Sequence, residues 1–528
     1  LDDLLLLFKE AGIPETLAVR AGAYLGDNAA ALLRADPWEL LRVPGIRPEQ
    51  ADHFARAVLT GFDPQDLRRG RALVEHLLSV AAREGHTALP GLEVVKALRT
   101  LKVVDQVAAI QSALDEARVM LFEEEPDVPE DAEDFPDPVE YLGLGRYGLA
   151  EETVAEGVQR LSATAPPLPG VSSNPAVTEA LLHGVSIVVG PAGPVVGELC
   201  AQDLNVVVAT LTAGAAREFP GAVSLHRLLE AGEYAGGIGY ARGEQRPLDA
   251  DVIVVPGAEA LDVEVAAALM EACPDGIHLV LIGEPGGLPS LRPGRILGDL
   301  VETGAVPVTR LPFGDAPLDV LMVSARDGEL VKVEAPDREV VTVPVADGRE
   351  AAHRVAQLAC DSIPRALGIQ EVQVLTPGLE GTAALNAALK TRINPGPGVR
   401  GGFDPGDRVL VASPLGGAPA GEIGTVTAAA EDGLTVEFAD GSVRVAADQL
   451  FRLRHGWAIP VQQAGGNRWP AVVVVFPTST GLSRPLAVTA FGRAQRHLSM
   501  VTAAGPALAQ AVRRDEPAGR RTRLKGLF

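Results

Sequence analysis

The segment GVSIVVGPAGPVVG, Gly184–Gly197, joins a short apolar run of β type, Val185–Val189, to a glycine turn and then to residues able to start a helix. Strand, glycine turn and helix in that order build a phosphate-cradling loop, normally written G-x-x-x-x-G-K-[ST]. Counted from Gly190, the stretch Pro191–Pro194, which includes Gly193, forms the spacer. Val195 then stands at the second glycine, Val196 at the lysine and Gly197 at the hydroxyl residue. The lysine would neutralise β- and γ-phosphate charge and the hydroxyl would hold Mg²⁺; valine and glycine do neither. A β-branched residue at the second glycine also crowds the approach of backbone N–H groups to phosphate. No lysine occurs between Val103 and Val331 to take over. From these residues alone, an ordinary strand, turn and helix that never held phosphate is an equally good reading.

The elements that would position such a loop follow from the pattern around it. NVVVATL (Asn205–Leu211), DVIVVPG (Asp251–Gly257) and IHLVLIG (Ile277–Gly283) are continuous apolar strands, as expected of a parallel sheet buried on both faces. EVQVLTP (Glu371–Pro377) and AVVVVFP (Ala471–Pro477) begin a second such set. Between them, Asp407–Leu453 breaks into short strands with glycine turns, which predicts a small β-barrel inserted in the second α/β domain.

Upstream, Asp2–Gly61 is helical and holds two similar units, Phe8–Gly26 and Leu40–Gly61. Each sets a helix, a Gly-Ile turn (Gly12-Ile13, Gly45-Ile46) and a second helix. In the second unit Gly45 and Ile46 are candidate DNA contacts. A glycine turn lets amides at a helix start approach a phosphate without reading sequence. A plain packing hairpin is the competing reading, and Arg47 stands where a further glycine is usual. Leu67–Phe122 continues with helical periodicity and is expected as a winged-helix-like domain. Glu123–Glu140 is acidic, proline-rich and free of Lys and Arg, and is read as a linker.

The chain has 528 residues, enough for several cores, and a net charge of −23. That charge opposes bulk attraction to nucleic acid, so any DNA contact needs a local cationic patch. No apolar run is long enough to predict a membrane span. Cys200, Cys273 and Cys360 lie far apart without metal-ligand spacing and read as buried thiols of a reducing, cytoplasmic setting; no metal site is expected.

Taken together and in order, these segments resemble the RecD-like DNA helicases of superfamily 1, in the long form with N-terminal helix-hairpin-helix modules. The resemblance runs from about Phe8 to Leu527 through SLHRLLE (Ser224–Glu230), PLDADVIVV (Pro247–Val255), LPSLRPGRILGDL (Leu288–Leu300), VQVLTPGLEGTAALNAALK (Val372–Lys390), RWPAVVVVFP (Arg468–Pro477) and VTAFGRAQRHLS (Val488–Ser499). It implies tandem helix-hairpin-helix modules (1–66), a winged-helix-like domain (67–122), an acidic linker (123–140) and a first RecA-like domain with a degenerate loop (141–325). A second RecA-like domain (326–402 and 454–528) would carry an SH3-like barrel (403–453). The fold class is therefore multidomain α/β with a helical N-terminal region.

The same resemblance locates the losses. The family's metal-binding Asp and water-polarising Glu fall at Pro256 and Gly257, and its γ-phosphate-sensing Gln at Gly287. With Val196, these leave no catalytic residue in place. The motif T-x-H-K-S-Q-G-S-E is PVQQAGGNR, Pro460–Arg468, which keeps Gly466. Arg493 survives as the arginine expected to reach the γ-phosphate, which makes Gly190, Gly193, Val195, Val196, Gly197 and Arg493 a vestigial nucleotide site. The DNA-facing set implied is Thr212 and Arg217, from LTAGAAREF, with His226 and Arg227. The expectation is a helicase homologue that has lost ATP hydrolysis and binds single-stranded or junction DNA, or a repair protein, without cofactor. Two alternatives stand: an active ATP-dependent 5′–3′ DNA helicase using ATP and Mg²⁺, and a protein-interaction scaffold that does not touch DNA.

Overall fold

The computed structural model describes residues 2–124, 137–234, 237–415, 417–476, 480–514 and 519–528. The chain begins with helices Asp2–Glu10, Glu15–Leu25 and Ala29–Ala35, a 3-10 turn Pro37–Arg42 and the helix Pro48–Val58. Trp38, Phe8 and Phe54 are fully buried at their centre, with the Phe8 and Phe54 rings 5.3 Å apart. Gly12 (φ 69°) and Gly45 (φ 85°) both turn through the left-handed region, where a side chain would be strained. Each turn then buries its isoleucine, Ile13 or Ile46.

The next unit runs helix Leu67–Arg83, strand Ala88–Pro90, helices Gly91–Thr100 and Gln106–Asp115, then strands Val119–Glu124 and Val139–Leu144. This is the element order of a winged helix, and its sheet is antiparallel with Val139–Leu144 in the middle. The expectation of a linker over 123–140 is corrected at both ends. Glu123 pairs with Glu140 and Glu124 with Val139, so the acidic segment connects two strands of one sheet. The middle of that segment, 125–136, lies outside the described residues.

The first α/β domain is a six-stranded parallel sheet in the order Val308–Arg310, Val185–Val189, His278–Ile282, Val252–Pro256, Val206–Thr210, Val223–Ser224. Its central strands are buried along their whole length, as the apolar runs require. The second sheet is also parallel, in the order Val340–Pro344, Ala494–Thr502, Trp469–Phe476, Val372–Thr376, Ala458–Pro460. Between its strands sits an antiparallel five-stranded barrel, Arg408–Val411, Ile423–Ala430, Gly433–Phe438, Gly441–Ala446 and Leu453–His455, closed on Val409, Val426, Val436 and Val445. Lys390 ties the barrel's root to the domain through Asp404 (2.7 Å) and Asp407 (2.5 Å).

Two boundaries shift. The helix Pro317–Arg326 buries Leu321, Met322 and Ala325 in the core of the second α/β domain, although nearly all of it falls within the span expected for the first. The tail is also displaced from its expected domain. Leu524 is buried in the core shared by the N-terminal region and the first sheet, and Thr87 N–H donates to Arg521 O (2.9 Å). Both shifts have one cause: apolar side chains go where a groove accepts them, and sequence order does not specify that groove.

Candidate nucleotide cleft and DNA-facing surface

The strand Val185–Val189 ends at Gly190, whose φ of +151° and contact with Leu311 leave no room for a side chain. The helix Ala192–Cys200 follows at once. Only Gly190 and Pro191 therefore separate strand from helix, and the expected spacer Pro191–Pro194 is mostly helical turn. A two-residue connection presents no run of amides that could wrap a phosphate. Val195 and Val196 point into a packed core with Val188, Val254 and Ile282, while Gly193 and Gly197 face outward with no side chain to offer. The valines at the expected glycine and lysine positions thus serve the sheet–helix interface.

The strand Val252–Pro256 ends in Gly257, held at φ 76° and packed close to Gly466 across the domain boundary. The turn that follows carries Glu259, and here the two α/β domains meet. Glu259 Oε1 accepts from Arg493 Nη2 at 2.8 Å, with both side chains only 10% exposed. The retained arginine is thus engaged by a carboxylate of the same chain. Around this pair Thr489 Oγ1 accepts from Leu288 N–H (2.7 Å). A side chain at Gly287 would press on that hydroxyl, and one at Gly283 on Glu259. Glu284 lies alongside, with Arg326 at 3.6 Å; burial raises its carboxyl above the ordinary range, and the nearby Glu259 charge adds to that. Glu259 Oε2 and Glu284 Oε2 are buried and accept no hydrogen bond among the described residues. Asn174 caps the helix Pro175–Leu182, its Oδ1 accepting from Ala176 N–H at 3.0 Å.

The DNA-facing candidates separate into three groups. Thr212 and His226 come together on the wall of one cleft. Its other walls are Ile238 and Tyr240, Ser290–Arg292, the barrel loop Pro419–Gly421, and Gln462, Gln463 and Gly465. Arg217 and Arg227 stand exposed beside it. Gly45 and Ile46 lie in the N-terminal module, where the Ile46 side chain is 3% exposed and belongs to the core while its N–H donates to Val43 O (3.2 Å). Gly45 remains exposed at the turn, but Pro48, which has no N–H, occupies the first position of the helix behind it.

On the cleft each chosen position is already engaged. Thr212 Oγ1 accepts from Ala215 N–H (3.2 Å) and donates to Asn467 Oδ1 (3.1 Å). The amides of Ala213 and Gly214 donate to Glu422 at 2.7 and 3.0 Å. Ser224 donates to Asp440 Oδ2 at 2.6 Å, and Arg227 lies 3.8 Å from the same carboxylate. Burial pushes the Glu422 carboxyl up to about 7 against the lowering effect of the two amides. Glu422 and Asp440 belong to the barrel, and sequence reasoning missed both. The available signal was a carboxylate inside the glycine-flanked turn GEIG, Gly421–Gly424. The strap Arg520–Arg523 was missed as well. Arg520, buried and pulled down to about 10 by desolvation, donates to Arg292 O (2.9 Å) and Gly294 O (2.7 Å), beside the cleft wall.

Residues 1–88 match the family described as "ATP-dependent RecD2 DNA helicase HHH domain". The chain is 28% identical to the ATP-dependent RecD2 DNA helicase of Deinococcus radiodurans, across 96% of this chain and 75% of that protein. It is 30% identical to the RecBCD enzyme subunit RecD of Mycobacterium tuberculosis over 165 residues, which are 29% of this chain and 27% of that one. Among solved structures, a Bacteroides Pif1 helicase crystallised with ADP-AlF3 and ssDNA aligns at TM-score 0.38 and 14% identity, over 62% of this chain and 90% of its own.

Proposed function

We propose that this chain, similar to a RecD2 DNA helicase along almost its whole length and matching the RecD2 helix-hairpin-helix domain over residues 1–88, binds single-stranded or junction DNA, or a repair partner, without turning over ATP. The observation that carries this reading is the Glu259–Arg493 pair at 2.8 Å. A γ-phosphate needs that guanidinium free, and no lysine stands within the first α/β domain to substitute for it. Removing one charge-stabilising group from phosphoryl transfer can cost about 10²–10³ in rate. Here the loop lysine, the metal carboxylate and the water-orienting acid are all replaced, at Val196, Pro256 and Gly257. Their effects need not add, yet the arrangement offers no replacement for any of them. Binding would fall to Thr212, Arg217, His226, Arg227 and Gly45, a small cationic set on a chain of net charge −23. The protein is expected to need no cofactor.

A second reading, an ATP-dependent 5′–3′ DNA helicase, is favoured by the identity with the Deinococcus enzyme along almost the whole chain. In that case Glu259 and Glu284 would face Mg²⁺ and Arg493 would leave its carboxylate for the nucleotide. One experiment separates the two. Phosphate release from Mg·ATP is measured with and without single-stranded DNA, for the parent chain and Arg493→Ala. The proposal expects no DNA-stimulated release from either. Turnover that disappears in Arg493→Ala would establish the second reading. A salt series of DNA binding tests the remaining part, with log Kd expected to rise linearly with log[salt].

A further inference from the structure

We propose that the inserted β-barrel is a latch, closed over the DNA-facing edge of the first α/β domain by Glu422 and Asp440, which a nucleic acid strand must open in order to bind. This rests on the DNA-binding reading above. Both carboxylates come from turns at the barrel's surface: Glu422 just before the strand Ile423–Ala430, and Asp440 between the strands Gly433–Phe438 and Gly441–Ala446. Both reach across to segments of the first domain that carry the candidate DNA contacts. Glu422 takes the amides of Ala213 and Gly214, between Thr212 and Arg217, and Asp440 takes Ser224 Oγ and approaches Arg227.

The Glu422 contact is buried, whereas Asp440 reaches Ser224 from an exposed turn. Glu422 is 1% exposed, Thr212 and Ser224 are each 1% exposed, and Asn467 completes the seam by accepting from Thr212. The two carboxylates sit where a polyanion following Thr212, Arg217 and Arg227 would place its charge. Like charges cannot share that edge, so a bound strand and a closed barrel exclude one another. The barrel has a core of its own and is fastened to the second α/β domain, through Lys390 with Asp404 and Asp407 and through Leu410 in that domain's core, so the latch parts the first domain from the barrel and the domain that carries it. A carboxylate bonded to two amides is a charge-assisted contact that binding must break, and its removal is expected to tighten DNA binding by about tenfold.

The test is fluorescence anisotropy of a labelled single-stranded oligothymidylate at low salt, with the full chain. The variants are Glu422→Ala/Asp440→Ala, Asp440→Ala alone, and the control Glu431→Ala/Asp448→Ala, which removes the same charge from exposed barrel positions. The latch predicts about tenfold tighter binding for the double variant. It predicts about threefold for Asp440→Ala, a turn residue whose loss spares the fold, and no more than about twofold for the control. Equal affinity across the parent chain, Asp440→Ala and the double variant would overturn the latch and leave the DNA-binding reading standing. An equal gain in the control would also overturn it, because the effect would then be net charge. No binding by any of the four proteins would overturn the DNA-binding reading and the latch with it.

Discussion

A glutamate stands at each of two places along the border of the first α/β domain, one facing the second α/β domain and one facing its inserted barrel. At the nucleotide cleft Glu259 meets the Arg493 guanidinium, and at the DNA-facing edge Glu422 meets two amides. Both carboxylates are nearly out of water, yet their compensation differs in kind. The first faces a full opposite charge, so parting the pair strands a buried cation. The second is held by two amides with no ion pair, while Asp440 opposes its charge and Arg217 favours it; desolvation prevails and its carboxyl rises to about 7. A charge–charge seam behaves as a fixed joint, whereas a charge–dipole seam can open at moderate cost. The comparison assigns rigidity to the side where the family would turn over nucleotide, and movement to the side where it would pass DNA.

The largest expected effect tests the fixed joint. Glu259→Ala leaves Arg493 buried and unpaired and should lower stability by about 3–5 kcal/mol, read as a shift of the urea midpoint. The double variant with Arg493→Met should recover much of that loss. A shift within 0.5 kcal/mol, by the order of surface substitutions, would mean that the cleft is open and wet in solution.

The next effect concerns pH and the movable seam. The folded Glu422 carboxyl titrates near 7 and the unfolded one near 4.5, so the folded chain holds a proton that the unfolded chain releases between these values. The stability it contributes is complete below 4.5 and is lost as pH rises through 7. On the order of 2–3 kcal/mol should therefore disappear between pH 5 and 8. Glu151 is also pushed up to about 7 by burial and adds a slope of the same sign. The measurement is thus the difference between the parent chain and Glu422→Gln, which should be the flatter of the two in urea titrations at each pH. Identical slopes would remove the distinction between the seams.

Arg520→Ala tests the strap, where a guanidinium donates to the carbonyl oxygens of Ser290, Arg292 and Gly294 and to the Ser290 hydroxyl. About 2 kcal/mol should be lost, with earlier proteolysis of the tail in limited digests. The smallest effect is Thr212→Val, which removes the Asn467 hydrogen bond and the cap at Ala215. It should cost about 1 kcal/mol and shift the urea midpoint less than any variant above.

Periodicity and spacing determine much of this molecule by themselves. Apolar runs such as Val252–Val255 and Val472–Val475 can be buried only on both faces, so two parallel sheets follow from composition along the chain. Glycine turns at Gly12 and Gly45 mark the paired hairpins because a left-handed turn needs glycine. The ordered motifs carry the family resemblance, and Val196, Pro256 and Gly257 stand where that resemblance would place a lysine and two acids. What sequence could not supply is which residues meet across hundreds of positions. Glu259 finds Arg493, Glu422 finds Ala213 and Gly214, Arg520 finds Gly294, and Ile46 turns inward, because burial and chain packing decide those encounters and no local propensity encodes them. Local pattern acts through a few neighbouring residues, whereas an ion pair or a cap across a domain seam forms only once both sheets have settled against each other.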